Sequence, residues 1–315
     1  MKRLSLACIA ALTLSLTVGA VGFTPTRTVV LYPEGQDPAR CKGIQEEGVY
    51  ITGGPGEHNG LSGGISVDDR GRITNIGDEA CIDLYLPKKC NGQMIVVCPG
   101  GGYSLVSSVN EGENVAEWLY RRGIGACVVK YRLPNHHANV PLTDVQNAFR
   151  YCRAHAAEWG VFKLGVMGFS AGGHLAASAA TLYTDAATKP DFAVLVYPVI
   201  TMEEGITHKG TRENLTAGDS TMVRKFSIEE RVDHNTPPTL LLLSAGDRTV
   251  APENSIRYFE AMASHKVKVE MHIFSAGNHG YGFVKKQFLG KAKDPLGEQR
   301  RDFDNILERF LSECR

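Results

Sequence analysis

One short run constrains the fold of this chain more than any other: Leu164-Gly165-Val166-Met167-Gly168-Phe169-Ser170-Ala171-Gly172-Gly173-His174. It begins as an apolar, strand-like stretch and passes without a linker into an alanine-rich helical one. Between the two stands Gly-x-Ser-x-Gly, with Ser170 at its centre. A strand that turns this sharply into a helix holds its middle residue in a strained conformation. Glycines at 168 and 172 remove the Cβ atoms that would collide there. The serine then projects from the C-terminal edge of a sheet, and the helix N-terminus favours developing negative charge. Alone, the pattern arises by chance and also fits a glycine-rich turn with a surface serine. Between a strand and a helix it reads as a nucleophile elbow.

The chain around it supplies a matching frame. Apolar runs at Cys81–Leu86, Met94–Cys98, Gly125–Tyr131, Lys163–Met167, Phe192–Tyr197, Thr239–Ser244 and Val267–Phe274 are short and bounded by turn residues, as buried strands are. Helical stretches at Gly112–Arg122, Leu142–Glu158, Ala171–Tyr183, Pro252–Ser264 and Glu298–Glu313 alternate with them. In the second, Val145, Ala148, Phe149 and Cys152 mark one face at helical spacing. Alternation of this kind predicts an α/β domain over 76–315, with a mainly parallel central sheet and helices on both faces. Apolar residues make up 43% of the chain, enough for such a core. Residues 200–236 break the rhythm with a polar stretch that forms no obvious strand. They read as a short lid-like insertion or as a surface excursion without a role.

Three further segments complete a reactive site around Ser170. Val96-Val97-Cys98 runs into Pro99-Gly100-Gly101-Gly102-Tyr103, a glycine loop after an earlier strand. Glycine lets the backbone approach a substrate and aim its N–H groups at one point. Gly101 and Gly102 are therefore expected to form an oxyanion hole with the N–H of Ala171, the residue after the nucleophile. The sequence does not say which of the two glycines donates most. Tyr103, next in line, is expected to close off the acyl side of the pocket. No Lys-Ser/Thr follows to make a phosphate-binding loop, and no Gly-x-Gly-x-x-Gly to bind a dinucleotide. A buried strand at Thr239–Ser244 ends in Ala245-Gly246-Asp247, which puts an acid at the active edge, although helix capping would also use an Asp there. After the next strand, Gly277-Asn278-His279-Gly280 offers a histidine on a glycine-flanked loop that can reach the serine. His174, four residues past Ser170 on the same helix, is the rival base; its position beneath the elbow points to a structural role.

The N-terminus reads as a signal segment over 1–22. Met1-Lys2-Arg3 is basic, Leu4 to Ala20 carries no charge, and Val18-Gly19-Ala20 provides small residues for cleavage after Ala20 or soon after. An uncleaved anchor is the alternative, because the apolar run nearly spans a bilayer. Residues 23–75, rich in Gly, Pro and polar residues, read as an extended leader packed on the domain, with short strands at Thr28–Tyr32 and Arg72–Ile76. Export permits disulfides, and Cys41, Cys81 and Cys90 are the better candidates. Cys98 and Cys127 sit in strand-like runs as small core residues. Lys and Arg together number 34, as do Asp and Glu, so no global field draws the chain to nucleic acid. No later stretch suits a stable membrane partner.

Several of these segments, taken together, resemble bacterial α/β-hydrolase esterases of the acetylxylan and feruloyl esterase type. They are Pro99 to Tyr103, Glu111-Gly112, Lys130–Pro134, Gly168–Ala176, Tyr197-Pro198-Val199-Ile200, Gly210–Leu215 and Asn278-His279-Gly280. The likeness runs in order over roughly residues 70–285. It implies the α/β-hydrolase fold and a triad of Ser170, Asp247 and His279. It also implies a secreted or periplasmic, metal-independent and cofactor-free ester hydrolase acting on a small-molecule or glycan ester. Two other readings share the fold: a serine peptidase of the prolyl oligopeptidase type, and a silent binding protein. The first usually carries a large propeller for which this chain has no room. The second has no need of an intact triad.

Overall fold

The computed structural model describes residues 23–31, 56–61, 64–77, 80–283 and 293–315. The expected signal segment, about half of the leader and Cys41 lie outside the described residues. In chain order the strands are β1 (Arg27–Val30), β2 (Ser66–Val67), β3 (Arg72–Thr74), β4 (Cys81–Tyr85), β5 (Gln93–Cys98), β6 (Val106–Ser107), β7 (Gly125–Lys130), β8 (Lys163–Phe169), β9 (Ala193–Val196), β10 (Thr239–Ser244) and β11 (Val269–Phe274). The helices are α1 (Asn114–Tyr120), α2 (Asn139–His155), α3 (Ala171–Thr181), α4 (Lys209–Thr216), α5 (Ser220–Lys225), α6 (Glu253–Ser264) and α7 (Arg300–Glu313).

The main sheet runs β1-β4-β7-β5-β8-β9-β10-β11. β4 is antiparallel to both β1 and β7, and every pairing from β7 to β11 is parallel. β5, β8, β9 and β10 are apolar and almost wholly buried because helices cover both faces. α2, α3 and α6 pack on one face through Val145, Phe149, Leu175, Tyr258 and Met262. α1 and α7 pack on the other through Val115, Leu119, Phe303, Leu307 and Phe310. Pro141 lies inside α2 but in its first turn, where no intrahelical N–H bond is lost.

The order of strands fixes where a site can form. After β5 the chain turns back toward β7; after β8 it proceeds toward β9. The loops leaving the C-terminal ends of β5 and β8 therefore diverge and open a crevice between them, the place where ligands bind in such sheets. The elbow and the glycine loop flank that crevice.

Two segments take a form that the sequence pattern does not specify. The stretch expected as a helix from Gly112 begins instead with a π-helical turn at Val109–Glu113, and α1 starts only at Asn114. The excursion at 200–236 holds no strand and folds into α4, α5 and a 3₁₀ turn at Ile228–Arg231. Its apolar residues Met202, Leu215, Phe226 and Ile228 are buried. Asn254 accepts the N–H groups of Ile200 and Thr201 at 2.9 and 3.2 Å, which ties the segment to α6.

Candidate active site

Ser170 takes φ 55°, ψ −124° between β8 and α3. That region is costly for a residue with a Cβ, on the order of 1–3 kcal/mol, and persists only where the surroundings over-determine it. They do so here through contact with the glycine loop. A Cβ on Gly172 would sit 2.2 Å from the carbonyl oxygen of Cys98, and one on Gly100 would sit 2.9 Å from the Cβ of Ser170. Only glycine at both positions lets the ends of β5 and β8 touch.

The side chains of Ser170, His279 and Asp247 arrive from the ends of three strands and form one hydrogen-bonded chain. His279 Nε2 lies 2.8 Å from Ser170 Oγ, and Nδ1 lies 2.7 Å from Asp247 Oδ2. Asp247 Oδ1 accepts the N–H groups of Thr249 and Val250, each at 2.9 Å. A carboxylate is acceptor-only, so Nδ1 must carry the ring proton. Nε2 is then left to accept from the serine hydroxyl. Burial on its own would raise the Asp247 pKa. The bonds from His279, Val250 and Thr249 outweigh it and hold the carboxyl below its ordinary value. The acid thus stays ionised and fixes the tautomer that a base needs.

The glycine loop is held from outside. Gly101 and Gly102 take φ 132° and 61°. The Asn214 amide of α4 donates to the Gly102 carbonyl at 2.9 Å, and the N–H groups of Ser104 and Leu105 close on the carbonyl of Gly101. Gly100 N–H is taken by the Glu111 carboxylate at 2.8 Å. Among the described residues, Gly101 and Gly102 donate no backbone hydrogen bond. Ala171, first residue of α3, has an N–H that a helix cannot satisfy internally.

Tyr103 corrects the expectation for the acyl side. It has φ 60° and is 2% exposed. Its ring turns inward, where its hydroxyl lies 2.9 Å from His174 Nδ1. The consecutive positive-φ residues reverse the loop and carry the ring beneath it, away from the crevice. His174 is wholly buried, and Nε2 lies 2.8 Å from the carbonyl of Phe226. That carbonyl can only accept, so Nε2 bears the proton and Nδ1 accepts from Tyr103. The histidine ties the elbow helix to the excursion, and both of its ring nitrogens are engaged away from Ser170 Oγ. Desolvation by burial pulls its pKa down to about 4.

Two polar residues of the excursion, expected to face substrate, are engaged with backbone instead. Arg212 donates to the carbonyl of Met202 at 2.9 Å and Asn214 to Gly102, while Lys209 and Glu213 stay exposed. Two further residues, His208 and Tyr197, border the site. His208 caps α4 through Nδ1, which accepts the N–H of Thr211. Its ring carbon Cε1 lies 3.5 Å from where a Cβ on Gly102 would be. The Tyr197 ring centroid is 4.8 Å from that of His279. Tyr197 stands in one of the segments that carry the family resemblance, but only the folded loops show what it and His208 touch. Among the described residues no cluster of His, Cys, Asp and Glu suits a metal ion.

The BD-FAE family model matches residues 82–262. An acetylxylan esterase of Xylanibacter ruminicola is 36% identical over 219 residues, covering 66% of this chain and 45% of that protein. The endo-1,4-beta-xylanase B of Butyrivibrio fibrisolvens is 33% identical over 215 residues, covering 62% of this chain and 33% of that protein. The chain thus spans less than half the length of these two relatives. Among solved structures, an acetyl ester-xyloside bifunctional hydrolase from Caldicellulosiruptor lactoaceticus superposes with a TM-score of 0.65 at 31% identity, over 74% of this chain and 88% of that one. A carboxylesterase from Lactobacillus plantarum, at TM-score 0.66 and 21% identity over 80% of this chain and 98% of that one, shares the α/β-hydrolase fold.

Proposed function

The chain belongs to the BD-FAE family, and on that premise we propose that it is a secreted serine ester hydrolase that removes acetyl or similar short acyl groups from carbohydrate. The observation that carries this reading is the unbroken chain Ser170 Oγ, His279 Nε2, His279 Nδ1, Asp247 Oδ2, with links of 2.8 and 2.7 Å. In the reaction, Ser170 Oγ attacks the ester carbonyl as His279 Nε2 takes its proton. Charge moves onto the carbonyl oxygen, which the N–H groups of Gly101, Gly102 and Ala171 receive, aided by the positive end of α3. His279 then gives the proton to the departing sugar alcohol, and an acyl-serine remains. Water, deprotonated by the same histidine, attacks that ester; the histidine returns the proton to the departing Ser170 Oγ, and the free acid leaves. Asp247 stays ionised throughout and stabilises the imidazolium in both halves. No step calls for a metal or a cofactor.

The carbohydrate substrate rests on the acetylxylan esterase relative and on the acetyl ester-xyloside hydrolase structure. Secretion rests on the basic start and uncharged run of residues 1–22. Among the described residues no helix is long and apolar enough to cross a membrane. The test is acetate release from acetylated xylo-oligosaccharides, set beside feruloylated arabinoxylan and a proline-based peptide substrate. Acetate release that disappears in Ser170→Ala supports the reading. Peptide cleavage without ester cleavage would replace it.

A further inference from the structure

Glu111 and Tyr197 take no part in the proton path, yet they join its two halves. The π-helical turn at Val109–Glu113 carries Glu111 inward, so that a charged residue type is only 6% exposed. Such turns recur at functional sites. Glu111 Oε2 accepts the Gly100 N–H at 2.8 Å, and Oε1 accepts the Tyr197 hydroxyl at 2.9 Å. The Tyr197 hydroxyl in turn accepts the N–H of Gly282 at 3.2 Å, three residues beyond His279. The Tyr197 ring packs against the imidazole with centroids 4.8 Å apart. Tyr197 itself has φ 39°, a conformation that a bulky residue keeps only when its contacts hold it there.

We propose that Glu111 is a positioning residue that locks the oxyanion loop to the His279 loop through Tyr197, so that the oxyanion donors and the base are held in one frame. The proposal rests on the ester-hydrolase reading above. Both partners of the carboxylate are donors, which suits an acid with two acceptor oxygens and not an amide with one. Drawing the Gly100 N–H toward Glu111 fixes the orientation of that peptide. The next two N–H groups, those of Gly101 and Gly102, are then left unpartnered among the described residues. On the other side, the hydroxyl of Tyr197 fixes the backbone at Gly282 while its ring limits the tilt of His279. A buried acid is costly to retain for packing alone, since burial pushes the Glu111 pKa up while its hydrogen bonds oppose that. The shape of the pocket would be filled as well by an apolar side chain. What an apolar side chain cannot supply is two acceptors aimed at two different catalytic loops.

The test compares Glu111→Gln, Tyr197→Phe and the double variant with wild type on p-nitrophenyl acetate, with folding checked by circular dichroism and melting. Both single changes conserve shape, and both are expected to fold. Each lowers kcat by about 10- to 100-fold, the scale of a misplacement near 1 Å, with KM within about threefold of wild type. The double variant loses no more than the worse single one, because both break the same link. Should Glu111→Gln fail to fold, Tyr197→Phe decides, since it leaves the bond between Glu111 and Gly100 in place. Wild-type kcat in the variants, a lowered melting temperature with kcat intact, or losses that multiply in the double variant would each overturn the proposal. Absence of ester hydrolysis in wild type is a separate outcome and would overturn the function on which the proposal rests.

Discussion

Replacing Asp247 by Asn tests the tautomer argument, because the structure dictates how the amide must sit. Asp247 Oδ1 accepts two backbone N–H groups, from Thr249 and Val250, each at 2.9 Å. In Asp247→Asn that position must keep the amide oxygen; the flipped amide would oppose two donors with an NH2 and strand both. The NH2 therefore faces His279 Nδ1, where the carboxylate oxygen now lies at 2.7 Å. Nδ1 becomes an acceptor, the ring proton moves to Nε2, and Nε2 can no longer take the serine proton. Geometry is retained and the base is lost. A wrong-tautomer histidine of this kind costs about 10⁴ in kcat, or about 5.5 kcal/mol. The fold should be kept, since the amide oxygen still accepts both backbone N–H groups, and melting should shift by a few degrees. The assay is steady-state hydrolysis of p-nitrophenyl acetate, with the Nδ1 and Nε2 protons of His279 followed by NMR. A variant within tenfold of wild-type kcat would refute the assignment of Asp247 as the orienting acid. So would a large fall in kcat with the ring proton still on Nδ1.

Acid stability should report on His174. Its folded pKa lies near 4 against an ordinary 6.5, so below pH 6.5 the unfolded chain binds a proton that the fold refuses. Stability is then lost as pH falls from about 6.5 to 4, by up to about 3 kcal/mol. His174→Gln should be less stable at pH 7 and show a shallower loss over that window; an unchanged slope would contradict the assignment. Short acyl esters should be preferred over octanoate. The apolar Leu215 of α4 is buried, and Lys209 and Glu213 are the residues it exposes, so no apolar stripe awaits a lipid tail; a maximum of kcat/KM at eight carbons or longer would contradict this. EDTA should leave turnover unchanged, because the proton path needs no Lewis acid. Loss of activity that zinc or calcium restores would point to a metal role.

Much of the frame was legible because it depends on local rules. The elbow needs glycine at 168 and 172, and strand β10 runs as an uninterrupted apolar segment into Asp247. Thr239–Ser244 matches the sequence reading residue for residue, and the other parallel strands differ at their ends by one or two residues. What stayed hidden depends on backbone conformations that a sequence does not display. Tyr103 was expected at the acyl side, but its positive φ sends the ring inward to His174. The role of Glu111 was invisible for a similar reason. Glu111 precedes the helix expected from Gly112 and is carried inward by a π-helical turn at Val109–Glu113 that the sequence pattern does not display. The excursion at 200–236 reads as polar and without an obvious strand. Its buried positions Met202, Leu215, Phe226 and Ile228 are too widely spaced to form a periodic pattern. Of the disulfide candidates, Cys41 lies outside the described residues. Cys98 and Cys127 are buried core thiols, as their strand positions implied.

The central claim is that Ser170 Oγ is the nucleophile on which the acyl group is carried. Paraoxon, an organophosphate that mimics the tetrahedral step, puts it to a direct test. The account predicts inactivation with one phosphoryl group per chain, found by peptide mass spectrometry on the peptide that contains Ser170, and no adduct in Ser170→Ala. Full activity in the presence of the reagent, or a stoichiometric adduct on any other residue with Ser170 unmodified, would contradict it.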